Sequence, residues 1–215
     1  MNTFLPTAGG YRSLRAFQLS EIIYDLTMIF AEKYVRSGSR TRDQIEQAAR
    51  SGRQNIAEGS EASRTSKETE IKLTNVAKAS LEELLLDYED YLRQHNLIQW
   101  GKDHSRTIRL REYLKSETFL NDPTKFVNRL NAEEFCNLCI TLINQTTYLL
   151  KRLIDRQQQQ FLEQGGIKEQ MYRARINYRS QTSPTGPTGP TSQTGQTGQT
   201  SPTHPINQVS SEKNG

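Results

Sequence analysis

The sequence predicts an all-α protein, an up-down antiparallel four-helix bundle with a short helical insertion before the last helix and a disordered C-terminal tail. Four stretches carry apolar residues at the 3.6-residue spacing of an amphipathic helix, and no comparable stretch alternates with period two. The chain has no proline between Pro6 and Pro123, so no residue of that kind breaks a helix there. Short Gly/Ser links between long helices favour antiparallel neighbours.

The first two helices are predicted over 14–36 and 42–58, and each has one apolar face about 60° wide at 100° per residue. On the first helix this face consists of Leu19, Ile23, Leu26 and Phe30. On the second it consists of Ile45, Ala49, Gly52 and Ile56. A glycine inside a helix costs about 1 kcal/mol relative to alanine, so we expect Gly52 to admit a neighbouring backbone. Gly59 is expected to end the second helix.

The third and fourth helices are predicted from their start signals. Thr65 and Glu68 have the spacing of a capping box, and Asn131 is followed by Glu134 at the same distance. The third apolar face is predicted to contain Leu73, Ala77, Ser80, Leu84, Tyr88, Tyr91 and His95. The fourth is predicted to contain Phe135, Cys139, Leu142, Thr146, Leu149 and Leu153.

Four segments are predicted along the chain: a flexible N-terminus (1–13), the bundle (14–164), a basic amphipathic arm (165–180) and a disordered tail (181–215). Within the bundle, 97–130 is too long for a turn and contains several apolar residues. We expect a short inserted helix there and a loop with Pro123, packed against one end of the bundle. The tail repeats Thr, Gly, Pro and Gln without forming the unbroken Gly-X-Y pattern of collagen.

Composition excludes several classes of protein. No apolar run approaches 18 residues, which excludes a transmembrane helix, and the N-terminus lacks the features of a signal peptide. Two cysteines are too few for a disulfide scaffold, so we expect a cytoplasmic protein. We expect no membrane partner, because the short basic helix near the C-terminus lacks the bulky apolar face that anchoring needs. Cys136 and Cys139 form a C-x-x-C inside a helix, which favours buried thiols over a metal or redox site.

Catalytic chemistry is not predicted. The three histidines lack partners for nucleophilic catalysis, and His95 is expected to be a hydrogen-bonded core or turn residue. An acidic run on the third helix is expected to form a solvated or partner-facing surface, with a divalent-metal site as the lesser alternative: Glu82, Glu83, Asp87, Glu89 and Asp90. We therefore predict a protein that is not an enzyme and that holds no cofactor and no metal.

Basic residues carry the functional prediction, although the net charge is only +4. In the arm, an apolar stripe formed by Ile167, Met171, Ala174 and Tyr178 faces away from a basic one. Such a helix can dock on another helix, lie on an anionic membrane or bind phosphates; packing back on the bundle is the alternative. The candidate nucleic-acid-binding residues are Arg42, Arg50, Arg53, Lys168, Arg173, Arg175 and Arg179.

Two stretches resemble a known family. Residues 47–59 read Gln-Ala-Ala-Arg-Ser-Gly-Arg-Gln-Asn-Ile-Ala-Glu-Gly, and 77–84 read Ala-Lys-Ala-Ser-Leu-Glu-Glu-Leu. They are similar to the second- and third-helix motifs of the bacterial four-helix-bundle proteins encoded in 23S ribosomal RNA intervening sequences, and look closest to the longer "suffix" members. The resemblance covers 14–95 well and 131–160 loosely. It implies an up-down bundle that forms a ring-like homopentamer without established enzymatic activity. Distantly related bundles bind a reverse transcriptase and nucleic acid.

Assembly is predicted from two further features. Small residues on the second helix let neighbours approach closely: Ala48, Ala49, Gly52 and Ala57. Aromatic residues near helix ends suggest more apolar surface than one bundle hides: Tyr24, Tyr34, Tyr88, Tyr91 and Trp100. We expect a homo-oligomer, a pentamer by resemblance, that binds RNA or a reverse-transcriptase-type nucleoprotein through a basic surface. The alternative is a structural or protein–protein interaction module without nucleic-acid binding.

Overall fold

The protein is all-helical, as predicted. The structure, a computed structural model, describes residues 10–125 and 127–182, and these contain no β-strand. The α-helices are α1 (Arg15–Tyr34), α2 (Arg40–Ala62), α3 (Lys67–Gln94), α4 (Ser105–Tyr113), α5 (Glu117–Asn121), α6 (Ala132–Gln164) and α7 (Ile167–Thr182). One-turn 3-10 helices lie at Tyr11–Ser13 and Val127–Arg129. Within the described residues no helix is long and apolar enough to cross a membrane.

The predicted helix starts are confirmed at α6 and wrong at α3. Asn131 caps α6 and forms the full capping box with Glu134. At α3 the cap is Ser66, whose hydroxyl accepts from the Thr69 amide, because the chain enters the helix one residue later than the Thr65 box requires. Gly59 does not end α2: the helix continues to Ala62.

The four long helices α1, α2, α3 and α6 pack in pairs, α1 and α3 each against both α2 and α6. Near the end of α1, the Phe30 ring contacts Phe135 at the start of α6 at a centroid distance of 5.5 Å. At the opposite end, the amide of Gln157 donates to Glu70 near the start of α3, with N and O 3.0 Å apart. The end of α6 therefore lies beside the start of α3.

The predicted inner faces of α1 and α2 are buried, because both helices turn one side toward the common core. On α3 the predicted face is buried at its centre, Leu73 and Tyr91 are partly buried, and His95 is exposed. The helix ends at Gln94, so the His95 side chain leaves the core and its ring stacks on Tyr91 at a centroid distance of 4.0 Å. The turn alternative for His95 therefore applies.

The space beside Gly52 is filled by the side chain of Leu81, not by a closely approaching backbone as predicted. A Cβ added there would lie 2.7 Å from Leu81 Cδ2, whereas the Ala77 carbonyl oxygen is 3.7 Å away. Leu81 is fully buried, so it fills the space above Gly52. Gly52 thus serves packing within one chain, and Ala48 and Ala49 are buried there too.

The aromatic residues near helix ends also pack within the chain. Tyr88 is 1% exposed and contacts Phe30, while Tyr24, Tyr34, Tyr91 and Trp100 are partly buried. These residues therefore give no ground for expecting uncovered apolar surface. The most exposed large apolar side chain among the described residues is Leu162, at 83%.

The insertion lies against the first turns of α6. It contains two short helices, α4 and α5, where one was expected, and it buries Leu114, Phe119 and Val127. The backbone amide of Trp100 donates to the Asn137 side chain at 2.7 Å, which ties the insertion to α6.

The predictions for the two chain ends fall mostly outside the described residues. Of the N-terminal segment 1–13, only 10–13 is described, and the Tyr11 ring there packs edge-on against Phe17. Of the tail 181–215, residues 181 and 182 belong to the last turn of α7, and 183–215 lie outside.

Candidate nucleic-acid interface

The basic arm is an exposed helix. No residue of α7 is buried, and its basic side chains are exposed along its length: Lys168, Arg173, Arg175 and Arg179. Tyr172 is 66% exposed beside them. The apolar stripe is also uncovered, with Met171 54% and Tyr178 69% exposed. The structure therefore does not support the alternative in which α7 buries its apolar stripe against the long helices.

The three arginines of α2 lie in different surroundings. Arg42 forms an ion pair with Glu46 at 2.8 Å, so its charge is partly compensated. The Arg53 guanidinium lies 4.2 Å above the Tyr24 ring on α1, which holds its stem against the protein. Arg50 is exposed.

The structure does not bring Arg42 and the arm together. Twenty residues separate Arg42 from Ala62 on α2, a distance of about 30 Å along a helix. The arm begins at the Ala62 end, because α6 runs past Glu70 before it reaches Gly165. Only the later part of α2 therefore lies near the root of the arm.

A second basic cluster, missed at the sequence level, lies at that same end. Arg15, Arg152 and Arg156 line a cavity of about 310 Å³ with an apolar floor that includes Leu149 and Leu153. None of the three arginines forms an ion pair with a described residue. Arg156 lies nine residues before Gly165, about 14 Å along the helix axis. The cluster therefore lies near the root of the arm.

The C-x-x-C and the acidic run show no metal-site geometry. Both thiols are buried and free, and no group of three His, Cys, Asp or Glu among the described residues could hold a metal ion. Burial raises the pKa of Cys139 to about 12. On α3, burial together with the neighbouring Glu83 and Asp90 raises the pKa of Asp87 to about 6.

A basic cavity beside the insertion was also missed. Lys102, Arg111 and Lys115 line it opposite α6. Its wall includes Trp100, whose indole N–H donates to Glu133 at 3.0 Å. Hydrogen bonds from the Ile98 amide and this indole lower the pKa of Glu133, which keeps the carboxylate charged. The net charge of +3 over 101–130 is the one signal that could have pointed to this site.

Comparison with known proteins adds no relative. No family model, no curated protein and no solved structure matches this chain.

Proposed function

We propose that this chain is a non-enzymatic, oligomeric binding protein of the cytoplasm that engages RNA or a nucleoprotein through a basic surface. Its four long helices are proposed to form an up-down antiparallel bundle, and the assembly is proposed to be a pentamer by resemblance to the intervening-sequence proteins. The contacts between the end of α6 and the start of α3 support the antiparallel arrangement.

The observation that carries the proposal is the exposure of α7. A helix kept only for packing buries its apolar stripe, whereas α7 buries no residue and presents four basic side chains with Tyr172. Arginine and lysine contact phosphates, and tyrosine stacks on unpaired bases. The cluster of Arg15, Arg152 and Arg156 adds positive charge near the root of the arm.

One observation favours the protein–protein alternative. Met171, Ile176 and Tyr178 expose an apolar stripe on α7, and such a stripe fits the groove of a partner protein. The two functions differ in their response to salt, because phosphate binding releases counterions and apolar docking does not.

The test measures affinity for duplex and single-stranded RNA between 50 and 200 mM salt. With about six phosphates neutralised, affinity for a duplex should fall by about 10³ over this range, and less for a single strand. A variant with Arg173→Gln, Arg175→Gln and Arg179→Gln should reduce the fall to about 10²-fold or less, since three contacts are lost.

The matched control removes three exposed arginines elsewhere: Arg36→Gln, Arg40→Gln and Arg109→Gln. This control lowers the net charge equally and should leave the salt slope near that of the wild type. If the wild type binds no RNA at 50 mM salt, the protein–protein alternative replaces the proposal. If it binds RNA but both triple variants behave alike, the arm is not the phosphate-binding element.

A further inference from the structure

A cavity of about 600 Å³ lies between the insertion and α6, well away from the arm. Its volume falls within the range of about 300–1,000 Å³ that small-molecule sites occupy. Three cations line it, Lys102, Arg111 and Lys115, and none of the described residues lining it is acidic. The cavity therefore favours an anionic ligand.

Three polar side chains of the cavity wall, those of Lys102, Thr107 and Lys115, form no hydrogen bond or ion pair with a described residue. Thr107 is only 5% exposed, and its hydroxyl makes no hydrogen bond to a described residue. Among the described residues the one buried side-chain N or O atom without a hydrogen-bond partner is Gln157 Oε1, so the Thr107 hydroxyl is accessible and can bond to a ligand. Lys102 and Lys115 form no ion pair with a described residue. Arg111 is positioned by a 3.2 Å hydrogen bond to the Lys102 carbonyl.

Aromatic and amide side chains complete the wall. Trp100 is fixed by hydrogen bonds to Asn137 and Glu133, and Tyr148 is 60% exposed at the mouth of the cavity. The Trp100 ring already stacks on His104 at a centroid distance of 5.6 Å and lies 5.3 Å from the Arg106 guanidinium. The exposed ring of Tyr148 therefore provides the platform on which a planar base can stack.

Asn144 and Gln145 also line the cavity. The Asn144 amide nitrogen donates to the Ile140 carbonyl at 2.9 Å, whereas the Gln145 amide offers both a donor and an acceptor to the edge of a base.

We infer that this cavity binds a nucleoside phosphate, either free or as one unit of an RNA strand. The three cations match the phosphate, the exposed Tyr148 ring matches the base, and Thr107 supplies a further hydrogen bond. The inference does not depend on the arm, because the cavity and α7 share no residue.

Trp100 is the chain's one tryptophan, and it lines both this cavity and the neighbouring one that Arg109 lines. Its intrinsic fluorescence therefore reports binding at either cavity, and variants assign the signal to one of them. We expect saturable quenching by adenosine and uridine monophosphates and by a short single-stranded RNA. Inorganic phosphate and the unphosphorylated nucleosides should each bind at least about tenfold more weakly, since each lacks one half of the contacts. Tighter binding of the RNA than of the monophosphates identifies the strand as the source of the nucleotide; the reverse identifies the free nucleotide.

Variants separate this site from the arm. Arg111→Gln should weaken nucleotide binding about tenfold or more, and Thr107→Val about two- to tenfold. Arg109→Gln, on the same helix but lining a neighbouring cavity, should bind as the wild type does. The triple arm variant should also bind nucleotide normally, so failure of the proposed RNA-binding arm leaves this result intact.

The inference is overturned by any of three results. The first is no saturable change with any of the nucleotide probes. The second is inorganic phosphate binding as tightly as a nucleotide, which would make the cavity a simple anion site. The third is an equal loss in Arg111→Gln and Arg109→Gln while circular dichroism shows both to be folded. Arg111→Gln also removes the hydrogen bond to the Lys102 carbonyl and can disturb the chain before α4. Thr107→Val removes no charge and leaves that bond in place, so its effect on nucleotide binding tests the inference independently.

Discussion

The phenol of Tyr88 on α3 donates a hydrogen bond to the hydroxyl of Thr27 on α1, with the two oxygens 3.0 Å apart. Thr27 donates in turn to the Ile23 carbonyl at 2.7 Å. Tyr88 is 1% and Thr27 0% exposed, so water cannot replace either partner. The bond therefore fixes the register of two helices across the core.

A double-mutant cycle should show strong coupling between these two residues. Thr27→Val should cost about 2 kcal/mol, since it leaves a buried phenol without its acceptor, and Tyr88→Phe about 1 kcal/mol. The double variant should cost less than the sum, because removing both polar groups leaves nothing unpaired. Urea unfolding measures the three values. Strictly additive costs would contradict this account, and Tyr172→Phe on the exposed arm is the control.

Gly52→Ala should destabilise the protein although alanine is the better helix former. The propensity gain of about 1 kcal/mol is outweighed by overpacking, which costs about 1–3 kcal/mol in a tight core. The new Cβ would lie 2.7 Å from Leu81 Cδ2. Leu81→Ala should therefore cost less in the Gly52→Ala background than in the wild type. If the Gly52→Ala protein unfolds at a higher urea concentration than the wild type, the Leu81 side chain can move away from the new Cβ at little cost.

Periodicity predicted the inner faces well because burial within one helix follows its own 100° repeat. It could not predict what each face meets. Gly52 is explained by Leu81, twenty-nine residues away in sequence, and Tyr88 finds Phe30 and Thr27 on another helix. His95 continues the angular pattern, but the helix ends before it, so angle alone misplaced it.

The candidate site was predicted unevenly for the same reason. The arm carries its basic residues on one short helix, where sequence spacing suffices to group them. The cluster of Arg15 with Arg152 and Arg156 joins the start of α1 to the end of α6, and only packing brings these residues together. The nucleotide cavity likewise needs both the insertion and α6.

The position of the α6 arginines predicts that they affect RNA binding more than Arg42 of α2 does. Arg152→Gln with Arg156→Gln should weaken RNA binding and flatten its salt dependence by about two phosphate contacts, since both residues lie near the root of the arm. Arg42→Gln should change neither, because Arg42 is paired with Glu46 at the far end of α2. Filter binding at several salt concentrations tests both. A larger effect from Arg42→Gln would place the interface on α2.

The two cysteines should be unreactive in the folded protein. Burial raises the pKa of Cys139 to about 12 and that of Cys136 still further, so almost no thiolate exists at pH 8. A thiol-specific disulfide reagent should label neither residue before unfolding and both in guanidinium chloride. Rapid labelling of the native protein, or its suppression by zinc, would instead support the metal or redox alternative for the C-x-x-C.

Asp87 should make stability depend on pH in a predictable direction. Burial, with Glu83 and Asp90 nearby, raises its pKa in the folded protein to about 6, from 3.8 as the ordinary value. The folded state therefore binds the proton more tightly, and the stability this provides below pH 4 is lost as the pH rises through 6. Asp87→Asn should thus raise the free energy of unfolding at pH 7 by about 1 kcal/mol, a value discounted for partial solvent exposure, and change it little at pH 4.

Urea unfolding at pH 4, 5, 6 and 7 measures the trend, with Asp25→Asn on an exposed face of α1 as the matched loss of one carboxylate. If Asp87→Asn raises the free energy of unfolding equally at pH 4 and pH 7, or lowers it at pH 7, then the folded protein does not disfavour the charged form of Asp87.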